Sequence, residues 1–405
     1  MINVALLGFG VVGSGTAEVL DENRAQIEKY VGDTVSVKYI LDLRDFPDSP
    51  YASLIVHDFD VILNDPEITI IAEMIGGAGV AYKFTKAALE AGKNVVTSNK
   101  ELVARHGAEL HRIAAEKGVR YLFEASVGGG IPIIRPMTND LAANGIVSVD
   151  GILNGTTNYI LTRMTNEGAP LSDVLKDAQA KGYAEADPTA DVEGLDAARK
   201  IVILAALAFG KILDPDAISV EGITSITSED VGLAEALGYK IKLIAHTEQV
   251  NGKTLAMVSP RMVRADNPLY NVEDVFNGIL VEGNMLGKAM FYGRGAGKLP
   301  TASAVVSDII DIAANLGKAP RPVEWQVANA DDMADVNDYS CVNVFIFEDV
   351  RCVVSKLEKA FGKLEHSVRK GGKIAFTAPV AMTERDAADK AASCGVPFVK
   401  KFRVI

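Results

Sequence analysis

The chain has few cysteines and no long apolar run, and each shortage excludes a class of protein. Its three cysteines, Cys341, Cys352 and Cys394, lie near the C-terminal end and are too few for a disulfide framework. The longest apolar stretch, residues 201–210, is about half of the ~20 residues that a membrane-spanning helix needs. The first residues lack the basic segment of a secretory signal. These absences predict a cytoplasmic protein that does not cross a membrane.

Basic residues are also fewer than acidic ones. The chain has 41 Lys and Arg residues and 53 Asp and Glu residues, so its net charge is −12. Proteins that bind nucleic acids need clustered Lys and Arg to contact phosphates, so this charge argues against such a partner. A small-molecule substrate remains compatible with it, since a few local charges decide such a site. The 405 residues, 48% of them hydrophobic, are enough for two or three globular domains.

Residues 1–130 alternate short apolar runs with amphipathic stretches, which predicts strands alternating with helices. This alternation is typical of a parallel, doubly wound sheet, so we predict an α/β domain of the Rossmann type. The predicted strands are residues 3–7, 35–41, 70–74, 94–97 and 120–124. The clearest predicted helices are residues 84–92 and 101–118, each with a glycine at its end.

Residues 131–325 mix helical and strand-like patterns without a fixed alternation, which predicts a central α+β domain. After a segment with Pro320 and Pro322, residues 335–405 show the order strand, helix, strand, strand, helix, strand. This βαββαβ order predicts a ferredoxin-like domain. Within the central domain, the predicted helices are 171–181, 192–209 and 302–316, and the predicted strands are 254–258 and 278–283.

A glycine-rich turn, Gly8-Phe9-Gly10-Val11-Val12-Gly13, follows the first predicted strand and opens a helix. Such glycines allow a tight turn, a close approach of the backbone to a pyrophosphate, and close packing of helix on strand. The N–H groups at the helix N-terminus favour the phosphate charge. We therefore predict a dinucleotide cofactor. The residues predicted to bind it here are Gly8, Phe9, Gly10, Val12 and Gly13.

The second predicted strand is followed by Asp42 and Arg44, which bear on the choice of cofactor. An acid at this place binds the ribose 2′-hydroxyl of NAD, whereas an arginine accommodates the 2′-phosphate of NADP. Because both residues are present, the choice between NAD and NADP stays open. A solvated loop charge is the alternative interpretation of each.

Ser98 and Lys100 follow the fourth predicted strand, at the end of the sheet where ligands bind in open α/β folds. Both are candidates for contact with the cofactor, and Lys100 also for contact with the substrate. A surface lysine at a strand–helix junction is the alternative for Lys100.

Asp196 and Lys200 are four residues apart in a predicted helix, so they lie on one face, in line with apolar positions. A charge pair aligned with an apolar stripe faces a cleft or a core, where a lysine can act as a proton donor or acceptor. The alternatives are an ordinary surface pair and, for the nearby Asp191, a helix cap. We favour the catalytic interpretation.

Three loops and turns carry further candidates. The glycine-rich residues 124–132 offer carbonyl groups to a cation or form a hinge, and residues 293–297 form a flexible loop suited to closing over the cofactor. The turn at residues 151–158, with Asn154 and Asn158, suits either polar ligand contacts or self-bonding. The five histidines show no metal-binding spacing.

The chain resembles the homoserine dehydrogenase family. The matching segments, in the family's order within residues 1–310, are GFGVVG, VVTSNKELVARHG, FEASVGGGIPII, GILNGTTNYILT, AQAKGYAEADPTADVEGLDAARK and YGRGAGKLPTASAVVSD. The resemblance implies NAD(P)-dependent interconversion of L-homoserine and L-aspartate 4-semialdehyde, a step toward threonine, methionine and isoleucine. It also implies a homodimer or homotetramer assembled through the central domain.

The resemblance implies roles for individual residues as well. Lys200 is implied as the acid/base lysine, with Asp196 orienting homoserine and Lys100 assisting at the reacting oxygen and the nicotinamide. The residues implied to bind the amino-acid end of the substrate are Gly182, Glu185 and Asp191. The residues whose carbonyl groups are implied to hold a sodium ion are Glu124, Val127, Gly129 and Ile131. The glycine implied to touch the cofactor is Gly297.

Two alternatives remain from the residues alone. A dehydrogenase for another amino-acid semialdehyde would keep the glycine turn, but its phosphorylating branch needs a cysteine nucleophile, and all three cysteines lie in the last predicted domain. A catalytically silent ligand sensor is the second alternative, and the presence of Lys100, Asp196 and Lys200 counts against it.

The last predicted domain resembles the ACT domains that sense amino acids. Its first strand–helix turn, Glu348-Asp349-Val350-Arg351-Cys352-Val353, lacks the Asp-x-Pro-Gly-Val-Leu pattern of effector-binding copies. Val350 and Arg351 are expected to fill the space that a glycine leaves open to an effector. We therefore expect an ACT-like domain that aids assembly without conferring strong threonine inhibition.

Overall fold

The computed structural model describes residues 1–321 and 323–405, so Pro322 of the predicted boundary segment lies outside the described residues. The chain divides into two compact units, here called the N-terminal unit and the C-terminal unit. The N-terminal unit comprises Met1–Asn144, Val202–Pro215 and Gly293–Ala328, and the C-terminal unit comprises Gly145–Ile201, Asp216–Tyr292 and Asn329–Ile405. The division into three domains stays a prediction.

The described residues form helices and strands along the whole chain. The strands are β1 (Ile2–Leu7), β2 (Val35–Leu41), β3 (Ile55–Val56), β4 (Ile68–Glu73), β5 (Asn94–Thr97), β6 (Tyr121–Leu122), β7 (Ile146–Ile152), β8 (Lys211–Ile212), β9 (Ser219–Val220), β10 (Tyr239–Val250), β11 (Lys253–Arg264), β12 (Phe276–Gly283), β13 (Gly287–Arg294), β14 (Gln326–Val327), β15 (Ser340–Cys341), β16 (Asn343–Glu348), β17 (Ser367–Lys370), β18 (Lys373–Thr377), β19 (Met382–Thr383) and β20 (Phe398–Val404). The helices are α1 (Val11–Glu22), α2 (Arg24–Val31), α3 (Phe59–Leu63), α4 (Gly79–Glu90), α5 (Lys100–Lys117), α6 (Gly155–Glu167), α7 (Leu171–Ala180), α8 (Thr189–Val192), α9 (Leu195–Phe209), α10 (Ser228–Ala236), α11 (Lys298–Ala314), α12 (Val353–Phe361) and α13 (Glu384–Ser393). In this part of the chain, no helix combines the length and the apolar composition that crossing a bilayer requires.

The N-terminal unit contains a six-stranded parallel sheet of order β3-β2-β1-β4-β5-β6. Its inner strands are apolar on both faces, as strands covered by helices must be, and Val4, Leu6, Ile70 and Val96 are fully buried. The order of the strands reverses between β1 and β4, which is where open α/β sheets bind their ligands. The predicted doubly wound α/β domain is thereby confirmed.

The C-terminal unit is built on one mixed sheet of order β13-β12-β7-β10-β11-β20-β16-β18-β17. Its last four strands belong to the predicted βαββαβ segment and pair in the antiparallel order of a ferredoxin-like sheet. Strand β20 also pairs in parallel with β11, where Arg261 lies opposite Arg403 and Met262 opposite Val404. The C-terminal segment therefore extends the central sheet.

Buried ionic groups hold this sheet to the segments around it. The guanidinium of Arg403 donates to both carboxylate oxygens of Glu384 at 3.0 Å and to Glu221 at 2.8 Å. Arg261 is completely buried and donates to the hydroxyl of Tyr339 at 3.1 Å. Lys242 is also buried, and loss of hydration lowers its pKa to about 8. Through Tyr339, Arg261 thus holds the segment that leads into β15, and through Glu384, Arg403 holds the start of α13.

Some predicted elements differ from the observed ones for local reasons. The helix predicted at residues 192–209 is observed as α9 but begins only at Leu195, because Gly194 adopts a left-handed φ of +80° just before it. Strand β6 is shorter than predicted, since residues Glu124–Ser126 turn into a 3-10 helix. Strand β10 was missed, because Lys242 and His246 interrupt its apolar pattern although both are buried.

The first turn of the ferredoxin-like segment contains a residue with a left-handed backbone. This residue is Cys352, which precedes α12 and has a φ of +59°. A side chain in this conformation costs about 1–2 kcal/mol per residue, which glycine avoids. The backbone here has the shape of a glycine turn, although the residue that forms it carries a side chain.

Replacing Cys352 with glycine is expected to stabilise the protein. The relief of left-handed strain outweighs the added freedom of glycine in the unfolded chain, and the expected gain is about 0.5–1 kcal/mol in the free energy of unfolding. Cys352→Ala is the control, because it removes the thiol but keeps the strain. Thermal and urea denaturation would measure both variants, and equal stability of the two would contradict the assignment of strain.

Candidate active site

The glycine turn after β1 has the geometry that a dinucleotide requires. Gly8 has a φ of +91°, and a Cβ at Gly13 would lie 2.0 Å from the carbonyl oxygen of Gly8. Around Gly10 the space is open, since a Cβ there would meet no atom within 4 Å. The N-terminus of α1 follows directly, and Val12 lies in its first turn. Gly8 thus makes the turn, Gly13 allows the helix to pack closely against the strand, and Gly10 faces open space.

Phe9 and Asp42 connect this turn to β2. The ring of Phe9 packs against Phe46 and Tyr51, so only its backbone is available to a cofactor. The Asp42 carboxylate accepts a hydrogen bond from the Phe9 N–H at 2.8 Å and one from the Arg44 guanidinium at 2.9 Å. The bond from Arg44 is the main reason that the pKa of Asp42 lies well below its usual value. The solvated-charge interpretation of Asp42 is therefore wrong, because the carboxylate organises the turn.

Lys100 is the first residue of α5 and is positioned by a buried network. Glu73, at the end of β4, accepts hydrogen bonds from the Ile75 N–H and from the Thr97 hydroxyl, each at 2.6 Å. The Thr97 hydroxyl accepts from the Asn99 N–H at 2.9 Å, and the Asn99 side chain caps α5 by accepting from the N–H of the third helical residue. One buried carboxylate therefore ties together the loops after β4 and β5.

Two predicted cofactor contacts lie on loops of the same unit. Ser98 follows β5, and its N–H donates to the backbone carbonyl of Glu73 at 3.3 Å. Gly297 precedes α11 with a φ of +125°, a conformation that other residues rarely adopt. Helix α11 packs beside α1, and a Cβ at Gly15 of α1 would meet Lys298 at 2.9 Å.

Glu124 organises the start of the glycine-rich loop through its side chain. Its buried carboxylate accepts the N–H groups of Ile133, Ile134 and Arg135 at 2.6–2.8 Å. The carboxylate of Asp308 accepts the N–H of Glu124 at 2.8 Å and pairs with the Arg135 guanidinium at 2.6 Å. Burial, and then the charge of Glu124, raise the pKa of Asp308 to about 7.

The backbone of this loop is closely folded between Gly128 and Ile131. A Cβ at Gly128 would lie 2.4 Å from the carbonyl oxygen of Ile131, so a side chain there would fill the space inside the loop. Within the described residues, no cluster of three or more His, Cys, Asp or Glu side chains could hold a metal. Carbonyl oxygens suit hard cations. The carbonyl groups of Glu124, Val127, Gly129 and Ile131 stay the predicted ligands of a cation in this loop.

The C-terminal unit holds the predicted catalytic pair in direct contact. Asp196 and Lys200 are only 7% and 8% exposed, and the Lys200 ammonium donates to Asp196 Oδ2 at 2.7 Å. It also donates to the backbone carbonyl of Leu153, again at 2.7 Å. The predicted arrangement on one helix face is confirmed, and the interpretation as an ordinary surface pair is wrong.

Asn154 links this ion pair to Asp191. Its side-chain NH₂ donates to Asp191 Oδ1 at 2.7 Å and to Asp196 Oδ2 at 3.1 Å. Burial is the main cause that raises the pKa of Asp191, and the neighbouring charge of Asp196 acts in the same direction. Asp191 lies inside the short helix α8, so it does not serve as its N-cap.

The loop that carries Gly182 and Glu185 begins where α7 ends. Gly182 has a φ of +74°, and both residues are exposed. The loop is tied to the start of α6, because the hydroxyl of Thr156 donates to the carbonyl of Tyr183 at 2.6 Å. The side-chain amide of Gln179 donates to the carbonyl of Glu185 at 3.1 Å.

The predicted residues thus fall into two groups. The N-terminal unit holds every candidate cofactor residue, including Lys100, together with the carbonyl loop, and the C-terminal unit holds the candidate substrate residues and Lys200. Sequence reasoning missed Glu73, whose signal was an acid as the last residue of an apolar strand. For Asn154 it left two interpretations open, and the structure shows that the side chain both caps its turn and binds carboxylates.

Comparison with known proteins assigns the family. Two family models match the chain, "Homoserine dehydrogenase, NAD binding domain" over residues 8–124 and "Homoserine dehydrogenase" over residues 132–310. A homoserine dehydrogenase from Synechocystis sp. is 46% identical over 318 residues, which is 77% of this chain and 73% of that protein.

Solved structures agree with this assignment. A homoserine dehydrogenase from Thiobacillus denitrificans superposes with a TM-score of 0.91 at 34% identity, over 100% of this chain and 98% of that one. A hyperthermophilic archaeal homoserine dehydrogenase in complex with NADPH superposes with a TM-score of 0.66 at 27% identity, over 79% of this chain and 99% of that one.

Proposed function

The chain belongs to the homoserine dehydrogenase family, NAD(P)-dependent oxidoreductases that interconvert L-homoserine and L-aspartate 4-semialdehyde, and from this membership we propose which residues do the work. The observation that carries the proposal is the buried contact of Lys200 with Asp196 and the Leu153 carbonyl. When bound, the nicotinamide supplies or accepts the hydride. The chain's own task at the reacting carbon is to move the proton of the hydroxyl.

We assign that proton to Lys200. In the reductive direction its ammonium group gives a proton to the developing alkoxide, and in the oxidative direction its amine takes the hydroxyl proton. Stabilisation of the alkoxide charge by an ammonium is effective here, because the site is largely shielded from water. Asp196 orients the substrate hydroxyl and keeps the lysine in place. Lys100 is proposed as a second group at the reacting oxygen and the nicotinamide.

The amino-acid end of the substrate is assigned to Gly182, Glu185 and Asp191. Carboxylates attract the ammonium group of homoserine, and a glycine N–H offers a hydrogen bond to its carboxylate. The left-handed Gly182 and the bond from Thr156 to Tyr183 support a defined loop conformation for this task. The candidate substrate residues are therefore consistent with recognition of an amino acid.

The nicotinamide cofactor is proposed to bind at Gly8, Phe9, Gly10, Val12, Gly13, Arg44, Ser98, Lys100 and Gly297. NADPH in the archaeal relative supports a role for Arg44 with the 2′-phosphate, while Asp42 favours the free hydroxyl of NAD. Because Arg44 and Asp42 are paired, neither charge acts at full strength, and we propose that both cofactors are used.

A sodium ion is proposed at the carbonyl groups of Glu124, Val127, Gly129 and Ile131, on the basis of the loop geometry and the family resemblance. If the ion orders this loop, replacing sodium by choline at constant ionic strength is expected to lower the initial rate. An unchanged rate in sodium-free buffer, verified by flame photometry, would count against the site. A homodimer or homotetramer, a cytoplasmic location and the ACT-like character of residues 335–405 also remain proposals.

Lys200→Ala is expected to lower turnover by about 10²–10⁴-fold, the usual contribution of a positioned general acid or base. Cofactor affinity, measured by quenching of intrinsic fluorescence, is expected to stay within about two-fold, because the N-terminal unit holds the candidate cofactor residues. Arg163→Ala is the control, since Arg163 forms an exposed pair with Glu167 at the same helical spacing. Near-normal turnover of Lys200→Ala would show that Lys200 does not carry the proton, and Lys100 would then be the better candidate for that role.

Arg44→Ala is expected to raise the KM for NADPH about 10- to 100-fold, the equivalent of one lost charge-assisted hydrogen bond, and the KM for NADH only slightly. Arg24→Ala is the control, because Arg24 forms an exposed ion pair with Asp21 in the same unit. Initial rates with both cofactors at saturating homoserine would measure the effect. Equal changes in the two KM values would show that Arg44 does not contact the phosphate.

A further inference from the structure

We propose that Asn154 is a positioning residue for the reaction, whose amide holds Asp191 and Asp196 together and fixes the Asp196 oxygen that pairs with Lys200. The inference rests on the proposed roles of Asp196 and Lys200. Asn154 is 7% exposed and lies at the end of the turn after β7, immediately before α6.

The orientation of the Asn154 amide is determined by its partners. Its Oδ1 accepts from the Thr157 N–H at 2.9 Å and from the Thr157 hydroxyl at 3.0 Å, so the oxygen must face the start of α6. The NH₂ group then faces the two carboxylates, which can only accept. A flipped amide would place its oxygen against Asp191 and Asp196, and its NH₂ against the Thr157 N–H. All donors and acceptors of the side chain are thus used in one arrangement.

The electrostatic reason for an amide at this place is the proximity of the two acids. Asp191 and Asp196 each bond to the same nitrogen, so their charges would repel each other without a donor between them. The two N–H bonds of the amide offset that repulsion, and they add no net charge that would compete with Lys200. A second cation at this position would instead draw Asp196 away from the lysine.

Asp196 Oδ2 accepts from both Asn154 and Lys200, at 3.1 Å and 2.7 Å. The same lysine donates to the carbonyl of Leu153, the residue before Asn154. Two consecutive residues of one turn therefore hold both partners of the ion pair. A shift of about 1 Å at a reacting group costs up to about 100-fold in rate, so a turn of this kind is expected to matter for turnover.

Asn154→Ser separates the positioning role from the role in folding. Serine is also a good N-cap and can still accept from the Thr157 N–H, but it is too short to donate to both acids. The expected result is a fall in kcat of about 10- to 100-fold with homoserine. Cofactor affinity is expected to stay within about two-fold and the melting temperature within a few degrees, as for a conservative cap exchange. Asn267→Ser is the control, since Asn267 caps the turn that begins at Pro268 in the same unit.

A double-mutant cycle with Asp196→Asn tests whether Asn154 acts through Asp196. If it does, Asn154→Ser lowers kcat in the natural chain but has little further effect once the Asp196 carboxylate is gone. Asn154→Asp is the second variant, because it keeps the size and the cap but turns a donor into an acceptor among two acids. It is expected to lower kcat more than Asn154→Ser does.

The outcomes distinguish a failure of the positioning role of Asn154 from a failure of the proposed roles of Asp196 and Lys200. An unchanged kcat in Asn154→Ser, or the same fold-loss in both backgrounds of the cycle, would overturn the positioning role. A parallel loss of kcat, cofactor affinity and melting temperature would also overturn it, since that pattern belongs to a folding defect. If Asp196→Asn alone leaves turnover unchanged, the proposed roles of Asp196 and Lys200 fail first, and the inference falls with them.

Discussion

The ion pair between Asp196 and Lys200 is the constraint around which the C-terminal unit is organised. Burying two charges is unfavourable unless each finds a close partner and further hydrogen bonds. The structure meets this requirement from two directions, with the Leu153 carbonyl on the lysine and the Asn154 amide on the acid. Helix α9 begins one residue before Asp196, so the positive end of the helix dipole also favours the carboxylate. A pair secured in this way keeps a defined geometry.

In the N-terminal unit, carboxylates also accept several hydrogen bonds, and there they hold loops in place. Asp42 holds the backbone of the glycine turn, Glu73 connects the loops after two neighbouring strands, and Glu124 gathers three consecutive N–H groups. An ionised carboxylate can accept several hydrogen bonds at once, which suits it to fixing loops that have no regular structure. The loops that carry the candidate cofactor contacts are therefore held in place by the carboxylates of neighbouring acids.

Much of this arrangement could be predicted from the sequence, because it depends on local patterns. The glycine turn after β1 and the spacing of Asp196 and Lys200 are each encoded within a few neighbouring residues, and the βαββαβ order follows from the residue pattern of each successive short segment. Long-range contacts were not predictable in the same way. The pairing of Asn154 with Asp191 joins residues far apart in the chain, and the burial of Lys242 in β10 runs against its polarity. At Cys352 the backbone conformation could not be read from the residue type, since glycine is the residue that normally adopts it.

The parallel pairing of β20 with β11 decides how separable the last segment is. Strand β11 has β10 on one side, and its other side is shared by the short β9 and by β20. Taking away residues 330–405 would leave the backbone carbonyl of Met262 and the N–H of Arg264 without Ile405, whose backbone N–H and carbonyl they now bond to. It would also uncover a strand whose side chains from Thr254 to Val263 are buried. An exposed, apolar sheet edge is a template for adding strands from other molecules. A shortened chain would therefore be prone to self-association and insolubility. The last segment covers the edge of the central sheet, so it is a structural part of the C-terminal unit.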